Sequence, residues 1–182
     1  MTATLCPDDR MAALLAAVGR SPEQGLRDTE LLLGDFPRDP RLHFLRGSLL
    51  AGRQDYAAAR LAMRQAVDIA PDFAVARFQL GFLLLTSGEP HAAQEAWGPL
   101  HGLPAESYIR KFVTGLCHLI RDEFADTIHC LEEGMAANTE NPAMNRDMQM
   151  IVDEVRSKLK DAAPASAVDF LLQQSALKST RH

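Results

Sequence analysis

Two pairs of adjacent cysteine and histidine residues have the types and spacing that could hold a metal ion. The first pair is Cys117 and His118, and the second is His129 and Cys130. In an antiparallel helical hairpin that turns between the pairs, all four lie at about the same level, and thiolates and imidazoles are ligands that Zn²⁺ prefers. Adjacent residues on a helix, however, point about 100° apart, which hinders convergence on one ion. Small buried cysteines in a helical core are the alternative, and we predict no metal and no other cofactor.

The rest of the sequence carries no recognisable catalytic pattern. It contains no glycine-rich phosphate loop, no zinc-finger spacing, no HExxH and no GxSxG. His43, His91 and His101 are scattered along the chain, and we interpret them as surface or packing residues. The acid-rich stretch from Asp122 to Glu140 indicates a solvated helix face, with a weak docking site for a basic partner as the alternative. The sequence therefore predicts that the protein is not an enzyme.

Charge and composition exclude several classes of partner. The chain has 182 residues, with 19 Lys and Arg against 24 Asp and Glu, which leaves a net charge of −5. Nucleic acids and anionic membranes bind concentrated basic surfaces, so neither is expected as a partner. The N-terminal residues MTATLCPDDR have acids where a signal peptide needs bases, and three cysteines do not make a disulfide framework. We therefore expect a cytoplasmic protein.

The elements that position these residues follow from an internal repeat. Three glycines recur at a spacing of 34 residues, namely Gly47, Gly81 and Gly115. Bulky residues keep the same step, namely Met63, Trp97 and Leu131. Each period holds two apolar stretches of helical length separated by short turn signals. A small residue lets two helices approach, and the bulky residue fills the gap beside it, which predicts a series of helical hairpins.

This pattern resembles the tetratricopeptide repeat (TPR) family, whose unit has 34 residues. The resemblance implies an all-α solenoid of antiparallel helix hairpins that ends in a capping helix. We expect Gly98, Pro99 and Gly102 to fray or kink the end of the second helix of the middle unit. The predicted segments are a degenerate leading hairpin in 1–39, units in 40–73, 74–107 and 108–141, a capping helix in 142–160, and a linker, short apolar helix and basic tail in 161–182.

The resemblance also implies a partner-binding groove, because positions 2, 5, 9 and 12 of a TPR unit line its concave side. Here those positions are mostly apolar: Phe44, Ser48, Val75, Phe78, Phe82, Leu85, Ile109, Phe112, Leu116 and Leu119. An apolar surface of this size exceeds what soluble monomers normally expose. The pattern predicts a protein or peptide partner with apolar anchor residues. Burial of these side chains between successive first helices is the alternative.

Some TPR domains bind acidic C-terminal tails through Lys, Asn and Arg in this groove. The matching positions here hold residues such as Phe78, Phe82 and Phe112, so an acidic-tail partner is not expected. The resemblance instead implies an adaptor-like or chaperone-like interaction module. A self-associating scaffold, dimeric through the groove or a C-terminal helix, is the alternative.

Near the C-terminus, residues 166–177 carry a one-sided apolar stripe at helical spacing: Val168, Leu171, Leu172, Ala176 and Leu177. So short a helix is marginal in water unless it docks on something. We expect it to dock on apolar surface of its own chain or of a second copy, with a tail that covers nothing as the alternative.

Overall fold

The computed structural model describes residues 5–162, and all regular structure in that range is helical. The α-helices are α1 (Asp8–Arg20), α2 (Pro22–Asp35), α3 (Pro40–Gly52), α4 (Tyr56–Ile69), α5 (Ala74–Thr86), α6 (Pro90–Trp97), α7 (Tyr108–Ile120), α8 (Phe124–Ala137) and α9 (Pro142–Ala162). The predicted all-α solenoid of helix hairpins is confirmed. The helix predicted in 166–177 and the basic tail lie outside the described residues.

The chain divides into two compact units, Met1–Pro104 and Ala105–His182. In the first unit the helices pack as successive antiparallel pairs, α1 with α2, α3 with α4 and α5 with α6. In the second unit α7 pairs with α8, and α9 packs on α8. Each helix thus buries its apolar face against its sequence neighbours, as expected of a repeat array.

The recurring glycines mark the places where paired helices approach most closely. A Cβ atom built on Gly47 would lie 2.9 Å from Cγ of Met63, and one on Gly115 would lie 2.8 Å from Cδ2 of Leu131. Real Cβ atoms do not come this close to another side chain. The pairing of a small and a bulky residue that the 34-residue step predicts is therefore present in the structure.

The turn inside each of these three hairpins uses one residue with left-handed backbone geometry. These residues are also 34 apart, and their φ angles are 64° at Gln54, 80° at Gly88 and 58° at Asp122. The next residue donates its N–H to the carbonyl five positions back, as Asp55 does to Leu50 at 3.0 Å. This is the hydrogen bond of a Schellman motif, which ends the first helix and starts the turn.

Helix α6 is short because its sequence cannot continue an α-helix. It ends at Trp97, and a 3-10 turn follows from Gly98 to Gly102. Pro99 has no N–H to offer the carbonyl of Glu95. The N–H of Gly98, three residues on, bonds that carbonyl instead. The disturbance expected from Gly98, Pro99 and Gly102 is present as a change from α-helix to 3-10 helix.

A buried carboxylate ties the start of the described chain to α3. The side chain of Asp39 is fully buried and accepts the N–H of Cys6 at 2.8 Å. It also accepts the N–H of Arg41 at 2.9 Å and forms an ion pair with the Arg41 guanidinium at 2.8 Å. Arg41 in turn donates to the carbonyl of Cys6. The carboxylate of Asp39, the guanidinium of Arg41 and three backbone groups are thus satisfied in one place, as burial requires.

Helix α9 has one apolar and one polar side. Its buried residues are Met144, Met148, Val152 and Val155. The opposite side carries exposed charges, including Asp153, Glu154 and Lys158.

Among residues 5–162, none of the helices combines the length and apolar character needed to cross a bilayer.

Candidate partner-binding surface

Four of the ten residues expected to line the groove are buried instead. They are Phe78, Ile109, Phe112 and Leu116, with at most 6% of their surface exposed. For Phe78 the reason is aromatic packing: its ring stacks on Trp97, with centroids 6.3 Å apart, and on Phe82, at 6.1 Å. The expectation that Phe78 faces a partner therefore needs correction, because its ring belongs to the core of its own hairpin.

Phe112 is buried for a related reason in the second unit. A Cβ atom on Gly134 would lie 2.5 Å from Cδ1 of Phe112, so the ring lies directly on the α8 backbone. Tyr108 covers it edge-on, with ring centroids 5.8 Å apart. The absence of a side chain at Gly134 makes room for an aromatic ring that the repeat pattern places on the groove side.

The other six residues are partly exposed: Phe44, Ser48, Val75, Phe82, Leu85 and Leu119. Five of them belong to α3 and α5 of the first unit. We refer to these five, Phe44, Ser48, Val75, Phe82 and Leu85, as the apolar face. They are the sequence-predicted groove residues that a partner of the first unit could reach.

Each of the two aromatic rings of the apolar face packs against another aromatic ring. The ring of Phe44 packs on Phe73 with centroids 5.2 Å apart. Phe82 stacks on buried Phe78, and Phe78 stacks on Trp97. The indole N–H of Trp97 donates to the carbonyl of Phe78 at 3.0 Å, which fixes the orientation of the stack. Rigid aromatic side chains of this kind make good binding anchors, because little conformational entropy is lost on contact.

Three polar side chains of α3 and α5, those of Arg41, Ser48 and Arg77, form hydrogen bonds within the chain. The hydroxyl of Ser48 donates to the carbonyl of Phe44 at 3.1 Å. The Arg77 guanidinium donates to the carbonyls of Pro71 and Ala96. Arg41 is held by Asp39 and Asp8. The five side chains of the apolar face itself carry no charge and therefore offer a partner mainly apolar contact.

In the second unit, the sequence analysis did not single out Met150. Met150 on α9 has 65% of its surface exposed. It lies one further 34-residue step beyond Leu116, which itself follows Phe82 by the same step. If the 34-residue repeat is extended into the capping helix, Met150 takes the same position as Phe82 and Leu116. That extension would have identified Met150 as a candidate groove residue. Leu119 on α7 is the groove residue of this unit that stays partly exposed.

The cysteine and histidine pairs do not gather into one site. His118 bonds Glu123, with 2.5 Å between Nδ1 and Oε2, whereas Nε2 of His129 lies 3.8 Å from Glu133. Cys117 is buried, and Cβ of Cys130 lies 3.2 Å from a Cβ atom built on Gly115. The two histidines therefore lie next to different acids. Burial raises the pKa of the Cys130 thiol.

One other group of metal-type ligands does come together within residues 5–160. It consists of His118, Glu123 and Asp126, whose ligand atoms lie within 4.8 Å of one another. Arg121 already donates to Glu123 at 2.9 Å, and its hydrogen bond, with that of His118, lowers the pKa of the Glu123 carboxyl to about 2. The guanidinium therefore takes the place next to the carboxylate that a cation would need.

No protein-family model matches the sequence, and no curated protein matches it either. Among solved structures, the chain is similar to MamA, a TPR-like protein. The structure of MamA from residue 41 to its end, from Desulfovibrio magneticus RS-1, is 16% identical, covers 96% of this chain and 97% of that chain, and has a TM-score of 0.61. A double mutant of the RS-1 protein is 15% identical, with 85% and 96% covered and a TM-score of 0.58. A further crystal structure of MamA is 14% identical, with 71% and 77% covered and a TM-score of 0.58. Together with the glycine register, these similarities show that the chain has a TPR-type fold.

Proposed function

We propose that this chain is a non-enzymatic, cytoplasmic protein-interaction module, adaptor-like or chaperone-like, that binds a peptide or helix of another protein on the apolar face. The observation that carries the proposal is the pair of partly exposed rings, Phe44 and Phe82, each supported by a second aromatic ring. The MamA-like fold supports it, because repeat folds of this type commonly serve as interaction scaffolds.

The chemistry of the face defines the partner. Burial of apolar surface contributes about 25 cal/mol per Å², and aromatic anchors concentrate that energy in a few contacts. The partner should therefore present leucine, isoleucine, methionine or aromatic side chains at helical or alternating spacing. Because none of the five residues of the apolar face carries a charge, an acidic tail gains little here.

Selection of peptides from a random display library on the full chain tests this proposal. We expect the enriched peptides to share apolar anchors and to have no common acidic C-terminus. A parallel selection on the Leu61→Glu variant serves as the control, since Leu61 is 68% exposed on α4 and is not part of the apolar face. Enrichment of acidic or basic peptides without apolar anchors would contradict the proposal.

A further inference from the structure

The two helices of the apolar face carry side chains of different size. Helices α3 and α5 both pack on α4 and start 34 residues apart, so residues separated by that step lie side by side, as in other repeat arrays. In this register Ser48 of α3 lies beside Phe82 of α5, and Ala51 lies beside Leu85. The α3 side of the face therefore carries small residues where the α5 side carries large ones.

One turn earlier on α3, an aromatic pair fills the space between these two helices. The ring of Phe44 reaches Phe73, the residue just before α5, with centroids 5.2 Å apart. Ser48 follows Phe44 by one helical turn on the same side of α3. Neighbouring helix axes lie about 8–10 Å apart, a distance that a serine side chain does not bridge. The space beside Phe82 is therefore left open at the level of Ser48.

The hydroxyl of Ser48 is turned back toward its own helix. It donates to the carbonyl of Phe44 at 3.1 Å, so its hydrogen is already used within α3. Ser48 is also partly exposed, which makes it accessible to a partner. The surface that Ser48 offers to a partner is therefore small, and it gives the partner no hydroxyl hydrogen to accept.

We propose that Ser48 sets the size of the apolar anchor that the face accepts. The space bounded by Phe44, Ser48 and Phe82, which we call the notch, would hold one large side chain of the partner, such as phenylalanine, tryptophan, methionine or leucine. That side chain would contact two aromatic rings at once, and contacts of aromatic rings with each other or with methionine add to the energy of burial. The inference rests on the proposed function and specifies the anchor.

The notch discriminates against small and against charged anchors. An alanine would leave the rings of Phe44 and Phe82 in contact with water, so little apolar area would be buried. A lysine or glutamate would lose hydration against walls that carry no charge. The ring of Phe82 cannot easily move to close the notch, because it stacks on the buried ring of Phe78.

A double-mutant cycle between Ser48 and a selected apolar peptide tests the proposal on the full chain. The peptide is used as selected and as a series in which each large apolar residue in turn is replaced by alanine. Ser48→Leu fills the notch and should weaken the parent peptide by at least about tenfold. For the peptide that lacks the anchor, the same variant should change affinity by less than about twofold, and the other peptides should keep the loss.

Three further variants separate filling of the notch from other effects. Ser48→Ala should bind the whole series as the parent does, because the hydroxyl faces its own helix. Ser48→Val adds less bulk, so it should weaken the parent peptide by a smaller factor than Ser48→Leu and carries the test if that variant does not fold. Ala57→Leu, which adds bulk at an exposed position on α4, should leave all affinities unchanged.

Two results would overturn the proposal. One is unchanged affinity of the parent peptide for Ser48→Leu and Ser48→Val, and the other is an equal loss for every peptide of the series. Phe82→Glu distinguishes either result from a failure of the proposed function. If Phe82→Glu weakens binding but the cycle shows no coupling at Ser48, the face binds the partner and the notch does not select its anchor. If Phe82→Glu leaves binding unchanged, the proposed function itself is wrong.

Discussion

The indole ring of Trp97 lies directly on the backbone of Gly81. A Cβ atom at Gly81 would come within 2.5 Å of Cδ1 of the indole, so any side chain there would displace the ring. The same indole donates its N–H to the carbonyl of Phe78, three residues before Gly81. Helices α5 and α6 are thus joined by close packing and one buried hydrogen bond at the same place.

Gly81→Ala should therefore destabilise the first unit. Because the added methyl group meets a fully buried indole ring, the expected loss is about 1–3 kcal/mol of unfolding free energy, measured by denaturant titration. Gly34→Ala is the matched control, since a Cβ there meets nothing within 4 Å. In a helix that change should gain about 0.5–1 kcal/mol. Equal stability of the two variants would contradict the packing described for Gly81.

The left-handed turns predict a stabilising substitution. Gln54 has a φ of 64°, a conformation that costs a residue with a side chain about 1 kcal/mol but suits glycine. Gln54→Gly should therefore raise the free energy of unfolding or leave it unchanged. Gln65→Gly, at an exposed position within α4, should lower it by about 1 kcal/mol. A comparable loss in both variants, measured by chemical denaturation, would show that the turn does not favour glycine.

The carboxylate of Asp39 makes stability dependent on pH. Burial alone would raise its pKa, but hydrogen bonds from Arg41 and Cys6 outweigh burial, and the pKa lies below its ordinary value. The unfolded chain then binds the proton more readily, so this contribution to stability is complete above about pH 4 and is lost as the pH falls further. Unfolding followed from pH 6 to pH 2 should show a smaller decrease in Asp39→Asn than in the parent. The same acid-induced decrease in both would refute this role.

Arg41→Ala tests the same ion pair from the other side. It leaves a fully buried carboxylate without its charged partner, which typically costs about 3–5 kcal/mol. Because the Arg41 side chain is 35% exposed, the lower end of that range is expected in thermal or chemical unfolding. Arg53→Ala, at an exposed position just after α3, should change stability by less than about 0.5 kcal/mol. Similar losses in both variants would contradict the account.

Much of this fold could be predicted because the chain repeats its own landmarks. The glycine and bulky residue of each unit, and the end of α6 at Gly98 and Pro99, depend on local sequence and appear where expected. The repeat register alone did not decide between an exposed and a buried Phe78. Its ring is covered because Trp97 and Phe82 stack on it, and that depends on how two paired helices fit together rather than on the repeat register.

The same distinction applies to the cysteine and histidine pairs. The repeat correctly predicted a turn between them, since α7 ends at Ile120 and α8 begins at Phe124. In the structure His118 bonds Glu123, and His129 lies near Glu133. Helical spacing alone left these side-chain directions open.

The correction at Phe78 predicts a difference between two neighbouring phenylalanines. Phe78→Ala removes a buried ring and should cost about 3–5 kcal/mol of unfolding free energy. Phe82→Ala, one turn further along α5 and partly exposed, should cost about 1 kcal/mol. Equal costs would mean that the two rings share one environment, against the burial seen here.

The central claim is that the apolar face binds the partner, and the affinity of one selected apolar peptide for matched variants tests it most directly. Phe82→Glu and Leu85→Glu should each weaken binding by at least about tenfold, or 1.4 kcal/mol, while their helical circular dichroism stays that of the parent. Leu61→Glu, at an exposed leucine on α4, should bind as the parent does. Unchanged affinity in both face variants, or an equal loss in Leu61→Glu, would contradict the claim.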